Sequence, residues 1–204
     1  MPQPDRFPKE FPGLGLGGRY PDRLGSDLLG GGLPWEAAVE ATMPNFPSRY
    51  TLQDSLWIGL YLQPKAEAVA LVRWDTYWTD GGLPSAGDAA ADWPVLLVRF
   101  ERVYQTFTTY PGPEERETLS GLPETISDAT SAALRPSERE SLLDTILRAR
   151  QEADAFSDFL LDDTLHRTTI SPVYRSWVEI WHGGVTRFLC LDASGETVPI
   201  PDLR

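Results

Sequence analysis

The chain has one cysteine, two lysines, two histidines and two methionines in 204 residues, and it has no long apolar run. Each scarcity excludes something. A lone Cys190 cannot close an intrachain disulfide, so the sequence is expected to belong to a reducing, cytoplasmic setting. The longest apolar stretches, such as 68–72 and 95–98, have strand length and fall far short of the roughly 18 residues a membrane helix needs. The N-terminal MPQPDRFPKEFPG has proline every few residues and no apolar core of the kind a secretory leader carries. Basic residues total 18 against 30 acidic ones, for a net charge of −12. That balance disfavours direct binding of nucleic acid, which needs clustered Lys and Arg, and of an anionic membrane surface. The 16 arginines against two lysines carry no mechanism by themselves.

What is abundant is glycine and proline at the start. Residues 1–50 hold eight of each, including GLGLGG at 13–18 and GGG at 30–32. Little regular structure is expected there beyond a short helix at 34–40 opened by Pro34. Phe7, Phe11, Leu14, Leu16, Tyr20, Leu24, Leu28, Leu29 and Trp35 recur through this arm, so it reads as a segment lying on its own domain or on a neighbour's. The remainder, 51–204, reads as a single α+β domain. The GLGLGG run lacks the preceding strand and following helix that a dinucleotide loop requires, so no nucleotide cofactor is expected.

Apolar and β-branched runs predict strands at 55–62 and 67–78, joined as a hairpin through 63–66. On the first, Leu56, Ile58, Leu60 and Leu62 would share one face and Trp57 and Tyr61 the other. Both faces are apolar, which places the strand centrally or under the arm. A loop at 79–93 separates them from a third strand at 94–107. Residues 174–181 and 185–192 predict a second hairpin turning at His182-Gly183-Gly184, with a short strand possible at 197–200.

Between these strands, 114–134 reads as one or two short helices. Pro136 and the S-x-x-E box of Ser137 and Glu140 then predict a long helix over 137–165. Leu142, Ile146, Ala149, Ala153, Phe156 and Leu160 fall on one stripe of it. Glu140, Asp144, Asp158 and Asp162 fall on the opposite face, with Asp154 at its margin. The expected architecture is α+β: an antiparallel sheet of about five strands, with the long amphipathic helix and short helices packed on one face, preceded by the irregular arm.

Three chemistries compete for the site. Asp162 and His166, four apart on a helix, would project from one side and, with Asp163, are the best metal candidates. They supply two ligand types on one turn and leave the site incomplete, so no metal is expected. His182 reads as a turn residue and Cys190 as a small core hydrophobe, with a Cys–His dyad as the reactive alternative. The acidic region is the third. Residues 111–165 carry 13 Asp and Glu against five Arg, a net of −8, leaving −4 for the other 149 residues.

That concentration favours a non-catalytic binding protein that engages a basic partner, such as a nuclease or another nucleic-acid-binding protein, through Glu140, Asp144, Asp154, Asp158 and Asp162. In size, acidity and aromatic content the chain is similar to bacterial toxin-neutralising (immunity) and inhibitor proteins, a likeness of composition alone. The alternatives are a small metal-dependent hydrolase using Asp162, Asp163 and His166, and an assembly subunit whose arm wraps a neighbouring copy. Seven tryptophans supply candidate interface anchors.

Overall fold

The computed structural model describes residues 32–41, 52, 54–63, 66–75, 93–109, 125–150, 165–172, 177–183, 186–192 and 194–200. Among these residues a 3-10 turn at Trp35–Ala37 leads into nine strands: β1 (Val39–Ala41), β2 (Leu56–Gln63), β3 (Glu67–Arg73), β4 (Val95–Phe100), β5 (Val103–Thr109), β6 (Ile126–Ala133), β7 (His166–Pro172), β8 (Trp177–His182) and β9 (Thr186–Leu191). Among the described residues there is one α-helix, α1 (Pro136–Arg150), between β6 and β7. The strands form two antiparallel sheets, ordered β1-β9-β4-β3-β2 and β5-β8-β7-β6. The expected α+β layout is therefore wrong. Among the described residues the protein is mostly β, with two sheets and one helix in place of a helical layer over a single sheet.

The two inner faces make the main core. Ala68, Ala70, Val72, Leu96, Val98, Phe100, Phe188 and Cys190 from the first sheet meet Ile126, Ile170, Val178 and Ile180 from the second. β3 and β4 are apolar without alternation because their outer side chains are covered too. Val69, Leu71, Val95, Leu97, Leu189 and Leu191 pack there with Leu33, and Trp35 and Ala38 lie partly buried against them. Part of the anticipated arm thus lies on its own domain, and β1 adds to it as an edge strand beside β9. The helix expected at 34–40 is only the 3-10 turn followed by that strand.

The hairpin of β2 and β3 forms as expected, but β2 is an edge strand and a bulge between Trp57 and Gly59 breaks its alternation. After the bulge Trp57 and Leu60 belong to the inner core, while Ile58 and Tyr61 lie on the outer cluster. One inserted residue exchanges the faces of everything beyond it.

Two predicted elements fail for a common reason, which is that the chain changes sheets. The run at 94–107 breaks at Glu101 and Arg102, the latter with φ of 52°, into β4 of one sheet and β5 of the other. The strands flanking His182-Gly183-Gly184 are likewise not a hairpin, since β8 pairs β5 and β7 whereas β9 pairs β4 and β1. The two corners are tied together where Gly183 N–H donates to the Arg102 carbonyl at 3.1 Å. A β-carbon on Gly183 would stand 3.0 Å from Leu165 Cδ2 and 3.2 Å from Arg102 Nη2, so glycine is there for close approach.

The short helices expected within 114–134 give way at 126–133 to strand β6. Its composition, ISDATSAA, carries little strand propensity beyond Ile126 and Thr130, and pairing with β7 decides it. The possible strand at 197–200 reduces to a single bridge between Leu191 and Thr197.

Candidate functional site

The acidic helix is an excursion from a β-hairpin. β6 and β7 are direct neighbours, with Ala133 opposite His166, and Leu134 N–H donates to the Leu165 carbonyl at 2.9 Å to close the base. The intervening chain leaves and returns at one point. Leu165, expected as the last helical residue, instead precedes β7, and His166 is extended. The predicted helix thus holds over 136–150, while 151–164, with Ala153, Asp154, Phe156, Asp158, Leu160, Asp162 and Asp163, lies outside the described residues.

Helix capping occurs one pair earlier than the sequence box implied. Glu138 Oε2 accepts from the Arg135 backbone N–H at 2.8 Å, while its Oε1 accepts from Arg135 Nη2 and Arg167 Nη1, both at 2.8 Å. Glu138 rather than Glu140 is the reciprocal carboxylate, and Pro136 sits in the first turn, where its missing N–H costs nothing. The Arg135 hydrogen bond leads in holding the Glu138 carboxyl down to about 2, with Arg167 helping. Glu138→Ala should lower stability by ~1–2 kcal/mol in denaturant melts, with loss of helical ellipticity, because a cap and a charge-assisted contact go together. A change below about 0.3 kcal/mol would mean that α1 is held by its apolar face alone.

That apolar face is as expected at its start. Leu142 is buried with Leu134 and Leu165, and Tyr104, Leu143 and Trp181 pack around them. Glu140 and Asp144 are exposed, on the side turned from Leu142. Of the five partner-binding candidates, these two are placed and are on one helix.

The metal reading loses its premise. His166 lies in β7, so the four-residue helical spacing from Asp162 does not exist. Among the described residues no three His, Cys, Asp or Glu side chains gather as a ligand set. Cys190 is core, opposite Leu96, and burial with Asp192 nearby pushes its thiol up to about 12, away from nucleophilic use.

His182 is no turn residue. It is 1% exposed, at the inner end of β8, directly opposite His166 on β7 and Val103 on β5. The two imidazoles stack with centroids 6.2 Å apart, and the Phe100 ring lies 4.9 Å from that of His182. His182 Nε2 is 2.9 Å from Thr168 Oγ1, which is 3.2 Å from Ser131 Oγ, and among the described residues Nδ1 has no partner. If Thr168 donates to Ser131, His182 carries its proton on Nε2 and buries a bare lone pair at Nδ1, the less costly arrangement. Burial, reinforced by His166, pushes the imidazole down to about 3, so it is neutral in the folded chain. This pairing could not be read from the residues, because the two histidines lie 16 positions apart and only strand register joins them.

Outside the second sheet, β8 alternates cleanly: Val178, Ile180 and His182 are buried, while Trp177, Glu179 and Trp181 face outward. Phe107, 36% exposed, stands opposite Glu179, with its ring 6.5 Å from Trp177 and 5.9 Å from Trp181. The Trp181 indole N–H donates to Glu179 Oε1. The sequence reading missed this row: alternation along 177–181 is the signal that could have placed Trp177, Glu179 and Trp181 on one face, and the contribution of Phe107 needed the register. No protein-family model matches the chain, and neither does any curated protein or solved structure.

Proposed function

We propose that this chain is a non-catalytic, acidic binding protein of the inhibitor or immunity type that engages a basic protein partner. The observation that carries the reading is the excursion between β6 and β7. A helix is fastened to the sheet through Glu138, Arg135 and Arg167, and it presents Glu140 and Asp144 to solvent in the most acidic quarter of the sequence. Exposed carboxylates act at long range, so they set association rate and partner sign more than dissociation. The buried, protonated Cys190 thiol suits a reducing cytoplasm. Among the described residues no helix is long and apolar enough to cross a membrane.

The test is kinetic, using a nona-arginine peptide as a minimal basic partner. Replacing Glu140, Asp144, Asp158 and Asp162 by their amides removes four charges at nearly constant side-chain size. Association at low salt should slow by about tenfold or more, with a shallower dependence on ionic strength and little change in dissociation. If parent and variant associate equally fast with the same salt slope, these carboxylates do not steer and the reading fails.

A further inference from the structure

On the outer face of the first sheet the protein shows how it holds a guanidinium. Arg99 lies over the Trp35 ring, 5.3 Å from its centroid, and donates to Glu67 Oε1 at 2.7 Å. The aromatic face supplies a quadrupole and the carboxylate a planar acceptor, which together fit arginine better than lysine. The outer face of the second sheet repeats two of these three parts. Phe107 and Trp181 stand edge to face, Trp177 extends the row, and Glu179 sits among them with one oxygen on the Trp181 indole. Among the described residues no Arg or Lys pairs with Glu179 or lies over the Phe107 or Trp181 ring. Arg167, across from Trp181 on β7, is turned to Glu138 instead. Helix α1 reaches Trp181 through its apolar cluster, and that cluster does not include Phe107.

We propose that Phe107, Trp181 and Glu179, with Trp177 beside them, form a seat for an arginine side chain of the basic partner. The guanidinium stacks on the Phe107 ring and its N–H fork reaches Glu179. A purely apolar partner fits worse, because covering this row would desolvate the Glu179 carboxylate with nothing to compensate it. The seat adjoins α1 through Trp181, which packs against Leu142, while Glu140 and Asp144 lie on the other side of the same helix. The proposal rests on the binding reading above and names its recognition chemistry.

The test uses the full chain with 15N-labelled tryptophan, titrated with Nα-acetyl-arginine amide and, as control, Nα-acetyl-norleucine amide. The arginine probe should shift the Trp181 indole signal with a dissociation constant on the order of millimolar, as expected for one side chain. The norleucine probe should not. Glu179→Gln, which can still accept from Trp181, and Phe107→Leu, which keeps apolar area without the ring, should each weaken the arginine probe by about three- to tenfold. Equal response to both probes, no response to either, or unchanged affinity in both variants would overturn the seat. If the seat is overturned but nona-arginine still binds through the acidic helix, the binding reading stands alone. If nona-arginine does not bind at all, both fall.

Discussion

Acidification from neutral pH to about pH 4 should cost this protein about 3 kcal/mol through His182 alone, and His182→Leu should abolish that part of the loss. The imidazole has an ordinary value of 6.5 and is held at about 3 when folded, because the site is dry and His166 lies against it. Below 6.5 the unfolded chain takes up a proton that the folded chain refuses, so stability is fully present above that value and falls as the pH drops towards 3. Each unit across that window is worth about 1.4 kcal/mol. Among the described residues, the groups facing His182 offer no anion to offset the charge: His166 on β7, Val103 on β5, Phe100 on β4 and the Thr168 hydroxyl. Beyond the corner, at Gly183, lies the Arg102 guanidinium. Urea melts of parent and His182→Leu at both pH values isolate the contribution, since carboxylate titrations common to the two proteins cancel in the difference. Parallel losses in the two would show that His182 protonates without consequence.

Phe100→Ala should have the largest effect of any single change at this corner, ~3–5 kcal/mol in the same melts. Phe100 is 1% exposed, the last residue of β4 before the chain changes sheets, and its ring covers His182. Removing it leaves a void where both sheets and both corners meet. The void also admits water towards Nδ1 of His182, so the acid sensitivity should shrink in Phe100→Ala, and the two substitutions should be non-additive in a double-mutant cycle. A loss under about 1 kcal/mol with unchanged pH dependence would mean the corner is held by Gly183 and Arg102 rather than by the ring.

How far the sequence revealed these features follows from the range of the interactions involved. The β2–β3 hairpin was legible because two apolar runs flank a short polar break, a local signal. The start of α1 was legible from Pro136, though the capping carboxylate proved to be Glu138 because Arg135, with no usual capping side chain, is the boundary residue. The exits from one sheet to the other were not legible. At Glu101 and Arg102 only a pair of charged residues interrupts the apolar run, with no Gly or Pro beside it, and a positive φ at an arginine leaves no trace in composition. At Gly183 the glycine was a true signal read for the wrong geometry, since tight turns and close corners both need it. β6 was missed because Ala129, Ser131 and Ala133 have their role only opposite Ile170, Thr168 and His166. The site divided along the same line: acidic residues on a helix face could be read from spacing, whereas the histidine pair and the place of Phe107 in the aromatic row exist only once strands are in register.

The single backbone bond between Leu134 and Leu165 has a consequence for how this protein can change over time. Glu138 and Leu142 tie the start of the segment to Arg167 and Trp181, but its two ends meet at a hydrogen-bonded strand pair, and closing a loop costs only about 0.6 kcal/mol more for each doubling of its length. Beyond those anchors the insert can therefore lengthen, shorten or change sequence while the ladder of β6 and β7 stays in place. A lineage could retune which partner it meets by rewriting the rest of those thirty or so residues, provided the two anchors are kept.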